Sequence, residues 1–187
     1  MKAPRIVVGV LLLAALTILP SAAIASAPNN ESATYEWDLE SPNVAMASSG
    51  DTIAVTGSGT FGVHPKFITG GGSFTHTVQG VGTFTGTWTA TDLLAFQPYG
   101  CGVVHFPSGD VTIPPNFCGG RIDARVVLTA ASGAQFGGVI QITCVIGSVP
   151  TGVADSTGPV EGVRLNVPGV DNFNKSVAGM NVFIKTS

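Results

Sequence analysis

The stretch from Gln79 to Asp92 separates by parity into two faces. Gly80, Gly82, Phe84, Gly86, Trp88 and Ala90 fall on one side, and Val81, Thr83, Thr85, Thr87, Thr89 and Thr91 on the other. A period of two sustained over that length is the pattern of a β-strand with one buried face. Threonine has high β-propensity and tolerates water, so the threonine side is the expected outer face.

The same alternation recurs along the chain. Tyr35, Trp37 and Leu39 oppose Glu36, Asp38 and Glu40, which gives a strand with an acidic outer face. After a loop at residues 41–50, Ile53, Val55, Gly57, Gly59 and Phe61 share one side of the next strand. Ile122, Ala124, Val126 and Leu128 oppose Arg121, Asp123, Arg125 and Thr129. The run from Gly138 to Gly147 is apolar almost throughout and is expected to be buried on both faces. Val163, Leu165 and Val167 form another strand, and Met180 to Lys185 the last. Gly, Pro, Asn and Ser punctuate these segments as turns. About eight strands and no helix result: an all-β chain, folded as an antiparallel β-barrel or β-sandwich.

A short repeat refines this. Gly57 to Phe61, Gly70 to Phe74 and Gly80 to Phe84 each read Gly-x-Gly-Ser/Thr-Phe, with both glycines and the Phe on one face. Glycine weakens a strand, so its repetition points to sharp curling or to room for an aromatic ring from the neighbouring strand. The expectation is a strongly curved sheet around Phe61, Phe74, Phe84 and Trp88, leaning toward barrel-like closure. Residues 93–120, rich in Pro and Gly, read as one long irregular loop, of the kind that is functional or stapled.

Residues 1–25 carry the marks of a secretory signal peptide: Lys2 and Arg5, an apolar run from Ile6 to Ile18, Pro20, then Ala23-Ile24-Ala25 before the expected cleavage. Residues 26–187 would then form a single secreted domain. Only 10% of the chain is charged, against roughly 25% in an average soluble domain. Without its first 25 residues it keeps six basic residues against eleven acidic, a net charge of about −5. That leaves no basic footprint for nucleic acid and no basic patch for an anionic membrane.

Three cysteines in an oxidising compartment imply one bridge and one leftover thiol. Cys101 with Cys118 is the favoured pair because the two bracket the irregular loop; Cys144 would then be a buried thiol. The alternative joins Cys144 to one of the loop cysteines. Of His64, His76 and His105, no two are close in sequence, so no metal site or cofactor is expected. His76 shares the face of Phe74, and an acid–base role with Asp92 or Glu161 is the reactive reading of it. Asn30-Glu31-Ser32 and Asn174-Lys175-Ser176 are glycosylation sequons, meaningful in a eukaryotic secretory pathway.

Thr69 to His76 and Thr87 to Cys101 together resemble a family of small secreted proteins from fungi and actinobacteria that have no assigned function. The resemblance extends through Cys118-Gly-Gly120, Thr143 to Gly147 and Glu161-Gly-Val163, and it implies export. Gly86-Thr-Trp88 looks like the Gly-x-Trp strand of lipocalin- and avidin-type barrels. Those families place the triplet on their first strand, whereas here it falls on about the fourth, and no ligand residue is carried over.

The functional expectation is a secreted, non-enzymatic domain that acts extracellularly or at the cell surface by binding or interaction, its partner an extracellular macromolecule or a small apolar ligand. The alternative is a calycin- or dirigent-like barrel that binds or processes a small apolar ligand. Phe74, Phe84 and Trp88 would line its pocket, with His76 and the loop between Tyr99 and Cys118 at the mouth. Oligomeric state is left open.

Overall fold

A computed structural model describes residues 32–150 and 161–187, with the backbone of Ala154–Asp155 and Gly158–Pro159. The expected signal segment and Asn30 lie outside the described residues. Strand β1 (Thr34–Leu39) is followed by β2 (Asn43–Met46), β3 (Thr52–Gly62), β4 (Phe67–Val78) and β5 (Gly82–Cys101). A hairpin of β6 (Val103–Phe106) and β7 (Gly109–Thr112) leads to β8 (Phe117–Ala130) and β9 (Gln135–Cys144). After the two-residue strands β10 (Ala154–Asp155) and β11 (Gly158–Pro159) come β12 (Gly162–Val167), β13 (Asp171–Phe173), β14 (Lys175–Ala178) and β15 (Asn181–Lys185). The chain is all-β, and the described residues contain no helix.

Six strands close into an antiparallel ring in the order β1-β3-β4-β5-β8-β15 and back to β1. The ring then divides. β3 pairs with β1 near its C-terminal end and with β2 near its start. β8 pairs with β15 at Phe117 and Cys118 and with β9 from Gly120 onward. Beyond the ring, β2 and β14 therefore face β9, β12 and β13, and β12 packs against β2 and β14. One end is a tight barrel; the other is a wider, two-layered opening.

The tight end is filled. Tyr35 stacks on Phe61 at 4.8 Å between ring centroids, Phe96 lies 4.8 Å from Phe61, and Phe183 meets Phe61 edge-on at 5.8 Å. Trp37 stacks on Trp88 at 5.6 Å. Their indole N–H groups donate to the Thr69 and Thr56 carbonyls at 3.3 and 3.0 Å, which removes the cost of burying a polar tip. These rings occupy the space over glycine. A β-carbon on Gly59 would come within 2.8 Å of the Trp37 ring, and one on Gly86 within 2.6 Å of the Phe74 ring. The same β-carbons would run into the Thr69 and Thr129 backbone carbonyls, and added β-carbons on the repeat glycines Gly57, Gly70 and Gly72 would likewise meet a carbonyl of the neighbouring strand. The third copy departs from the expectation: Gly80 and Gly82 have nothing within 4 Å of an added β-carbon, and Phe84, expected in the core, is 51% exposed.

The irregular loop expected at residues 93–120 is mostly strand. β5 continues through Asp92 to Cys101, with breaks in register at Ala90/Asp92, Leu93/Ala95 and Pro98/Gly100. Each bulge adds one residue on β5 against the same length of β8, so the inward side chains step by three: Ala90, Leu93, Phe96. Strict alternation is lost from the sequence while the ladder survives. The short strands β2, β13 and β14 were also hidden, because four or fewer residues are too few to show a period. The run from Gly138 to Gly147 is buried on both faces only at Ile142, Thr143 and Cys144.

Candidate functional site

The wide end is not filled. A cleft of about 210 Å³ opens there, lined by Ile53 of β3, Phe74 and His76 of β4, Phe84 of β5, Leu128 of β8 and Phe136 of β9, with Val167, Val170 and Phe173 closing the far side. The inward parity of each strand places them. His76 sits opposite Phe84 in the β4–β5 register, and Leu128 opposite Phe136 between β8 and β9. The floor is buried, with Ile53, Phe74, Leu128 and Phe173 at 7% exposure or less. The lip is not: Phe84, Phe136 and Val170 are 51%, 38% and 41% exposed. No carboxylate, lysine or arginine lines the cleft.

The mouth is framed by turns, most of them braced. The Gln79 amide N–H donates to Asp51 Oδ1 at 3.0 Å and its side chain to the Gly50 carbonyl at 3.1 Å. Ser49 Oγ donates to Asp171 Oδ2 at 2.7 Å. The β2–β3 turn is thus tied both to the β4–β5 turn and to the start of β13, which preorganises that rim. His76 lies edge-on to Phe173 at 5.2 Å and tilted to Phe84 at 6.3 Å. Its Nε2 is buried and has no hydrogen-bond partner among the described residues.

Of the expected pocket residues, Phe74, His76 and Phe84 meet in this cleft. Trp88 does not: its ring belongs to the filled core against Trp37. The loop expected at the mouth is elsewhere too. β5 leaves the cleft at Phe84 and carries Cys101 to the opposite end, where the β6–β7 hairpin stands. Leu128, Phe136, Val170 and Phe173 were missed. Each is an ordinary inward or turn residue, and only the pairing of β8 with β9 and of β12 with β13 brings them to one place.

The reactive pairings do not assemble. Asp92 lies on the outer face, 3.8 Å from Arg125. The Glu161 carboxylate accepts the Asn181 backbone N–H at 2.6 Å, and burial pushes its pKa up. His105 Nδ1 lies 2.7 Å from Asp110 Oδ1, but both are well exposed on the β6–β7 hairpin rather than in a cleft. Among the described residues no three His, Cys, Asp or Glu side chains converge to hold a metal. Glu36, Asp38 and Glu40 line a groove on the outer face of β1, as their parity predicts.

Cys101 and Cys118 form the disulfide, joining the end of β5 to the start of β8. Cys144 is a free, buried thiol, and burial raises its pKa to about 12. Asn174 is exposed, between β13 and β14, while the Ser176 hydroxyl of its sequon donates to the Glu161 carbonyl at 2.8 Å. The threonine face is outward: Thr83, Thr85, Thr87, Thr89 and Thr91 are all exposed. No helix among the described residues is long and apolar enough to cross a membrane. Comparison with protein-family models, with curated proteins and with solved structures finds no match for this chain.

Proposed function

We propose that this is a secreted domain that acts by binding, and that the cleft at its wide end is where it binds. The observation that carries the reading is the cleft's composition: buried apolar floor, half-exposed aromatic lip, no charge. Exposed aromatic residues around a concave apolar site mark recognition surfaces more often than chance. Export is supported by the signal-like residues 1–25 and by the Cys101–Cys118 bridge, which suits an oxidising compartment.

The size of the cleft selects the ligand class. A cavity of about 150 Å³ holds a benzene molecule, whereas drug-sized ligands use roughly 300 Å³ or more. At about 210 Å³ the site takes one aromatic ring or a short branched aliphatic group. The filled ring of β1, β3, β4, β5, β8 and β15 argues against a carrier with its cargo inside the barrel.

Titration with toluene, followed by protein NMR, tests this. Saturable shifts confined to Phe84, Phe136, Val170 and Phe173, and abolished by Phe136→Asp, are expected. Weak linear shifts scattered over the surface would remove the cleft as a binding site.

A further inference from the structure

The wall of the cleft is uncharged, but its mouth is not. The four turns around it, residues 47–51, 79–81, 131–134 and 168–170, hold no lysine or arginine, and Asp51 ends the first of them. Asp171 follows the last and opens β13. Both are half-buried and continue the inward side of their strands, Asp51 in line with Ile53 and Asp171 with Phe173. Ser49 draws the two together, because its Oγ donates to Asp171 Oδ2 at 2.7 Å and accepts the Asp51 N–H at 3.3 Å. Among the described residues neither carboxylate lies within ion-pair distance of a basic side chain. Lys175, further along the same stretch, pairs with Met46, whose neighbours Ala45 and Ala47 face the core. Cross-strand partners share a face, so Lys175 points outward.

We propose that the ligand of this cleft is an amphiphilic organic cation, an arylalkyl- or branched alkylammonium. Its apolar group lies on the aromatic floor and its ammonium at the Asp51 and Asp171 side of the mouth. The proposal rests on the reading of the cleft as a binding site and adds the charge of what it binds. Three observations select a cation. First, two like charges held side by side repel each other, and an ammonium beside them relieves that repulsion. The carboxylates are already oriented: Asp51 Oδ1 accepts the Gln79 N–H at 3.0 Å and Asp171 Oδ1 the Asn172 N–H at 2.7 Å. A ligand therefore meets a preorganised pair. Second, the lip is aromatic, and the rings of Phe84 and Phe136 attract a cation while offering an anion nothing comparable. Third, residues 26–187 carry a net charge of about −5, and the field of such a chain gathers cations and turns anions away.

The apolar group supplies the affinity and the charge supplies the selection. Ion pairs and cation–π contacts near the surface are individually weak. Together they should favour the cation by a factor of roughly 10 over a neutral compound of the same shape. Salt screens such a contribution, whereas it does not screen the apolar contact. Salt dependence therefore separates the two.

Protein NMR titrations with benzylamine, benzyl alcohol and benzoate at neutral pH test it, since the three share one ring and differ in charge. In about 0.01 M salt benzylamine should bind roughly tenfold tighter than benzyl alcohol, and benzoate more weakly than either. The shifts should centre on Phe84, Phe136 and Phe173. In about 1 M salt the amine and the alcohol should converge. Asp51→Asn and Asp171→Asn each keep an acceptor for the backbone N–H. Each should cut the preference for the amine about threefold, and the double variant should abolish it, with circular dichroism to check the fold. The wild-type salt series carries the test should a variant fail to fold. Equal affinity for amine and alcohol overturns the proposal, as does a preference that survives about 1 M salt or the double variant. If the alcohol or toluene still binds saturably in that case, the cleft stands as a site for neutral ligands. If none of these ring compounds binds, both readings fall.

Discussion

The Trp88 indole lies across Gly57 of β3, and its Nε1 donates to the carbonyl of the preceding residue, Thr56, at 3.0 Å. A β-carbon at Gly57 would stand 2.9 Å from the Trp88 ring and 2.6 Å from the Gly71 carbonyl oxygen. Glycine and tryptophan are therefore one packing unit, shared by two strands that do not pair with each other.

Gly57→Ala should destabilise the protein by about 1–3 kcal/mol, the usual cost of overpacking a core, because the contacted carbonyl cannot rotate aside. Gly137→Ala is the control. That glycine has nothing within 4 Å of an added β-carbon, so the change should stay within ~0.5 kcal/mol. Urea midpoints for the two variants read the difference. Equal effects would mean that the glycines are needed for something other than room.

Removing the bridge with Cys101→Ala and Cys118→Ala together should cost about 3 kcal/mol, from the lost constraint on the loop in the unfolded chain. In a domain of this size that corresponds to a Tm lower by roughly 6–12 °C. Limited proteolysis should then cut first between Val103 and Thr112, the segment the bridge holds. Calorimetry and a protease time course would show both.

Cys144 should resist alkylation in the native state. Burial is the main cause of its raised pKa, which reaches about 12, and the thiolate is the reactive form. A folded-state value raised above the ordinary 9.0 contributes stability below pH 9 that is lost as pH climbs toward 12. Iodoacetamide labelling should therefore track unfolding, and its onset should move to lower denaturant concentration between pH 9 and 12. Rapid labelling of native protein at pH 8 would contradict this placement.

Glu161 gives a second pH dependence. Burial raises its pKa above the ordinary 4.5, and the bond from the Asn181 N–H only partly offsets this. Its contribution is present below pH 4.5 and fades as pH rises through the raised folded-state value. Glu161→Gln keeps an acceptor for the Asn181 N–H and carries no charge. It should flatten the stability profile above pH 4.5 and be more stable than wild type at pH 7. A variant with an unchanged pH profile would place the titration elsewhere.

The strands whose faces were legible were those with unbroken parity. Tyr35, Trp37 and Leu39 point inward, as do Trp88 and Ala90, and the five threonines of β5 point outward. From Ala90 onward the three bulges changed the step from two to three, and a strand was mistaken for a loop. The site was partly legible for the same reason. Phe74, His76 and Phe84 lie near one another on adjacent hairpin strands, so local pattern placed them together. Trp88 shares their parity but lies farther along β5, where the ring is tight enough for Trp37 to cover it.

What the sequence determined by itself is local: the period of two, the faces it defines, the turns, and the pair of cysteines bracketing one segment. Those follow from the geometry of a single strand and from chain proximity. The tertiary structure decided what depends on partners distant in sequence. β15 returns to β1 to close the ring, and β3 and β8 each exchange one neighbour for another along their length. That exchange makes one end narrow and filled and the other wide enough for a cleft. Whether an inward aromatic residue becomes core or binding surface is set by how many strands surround it, which no one strand encodes.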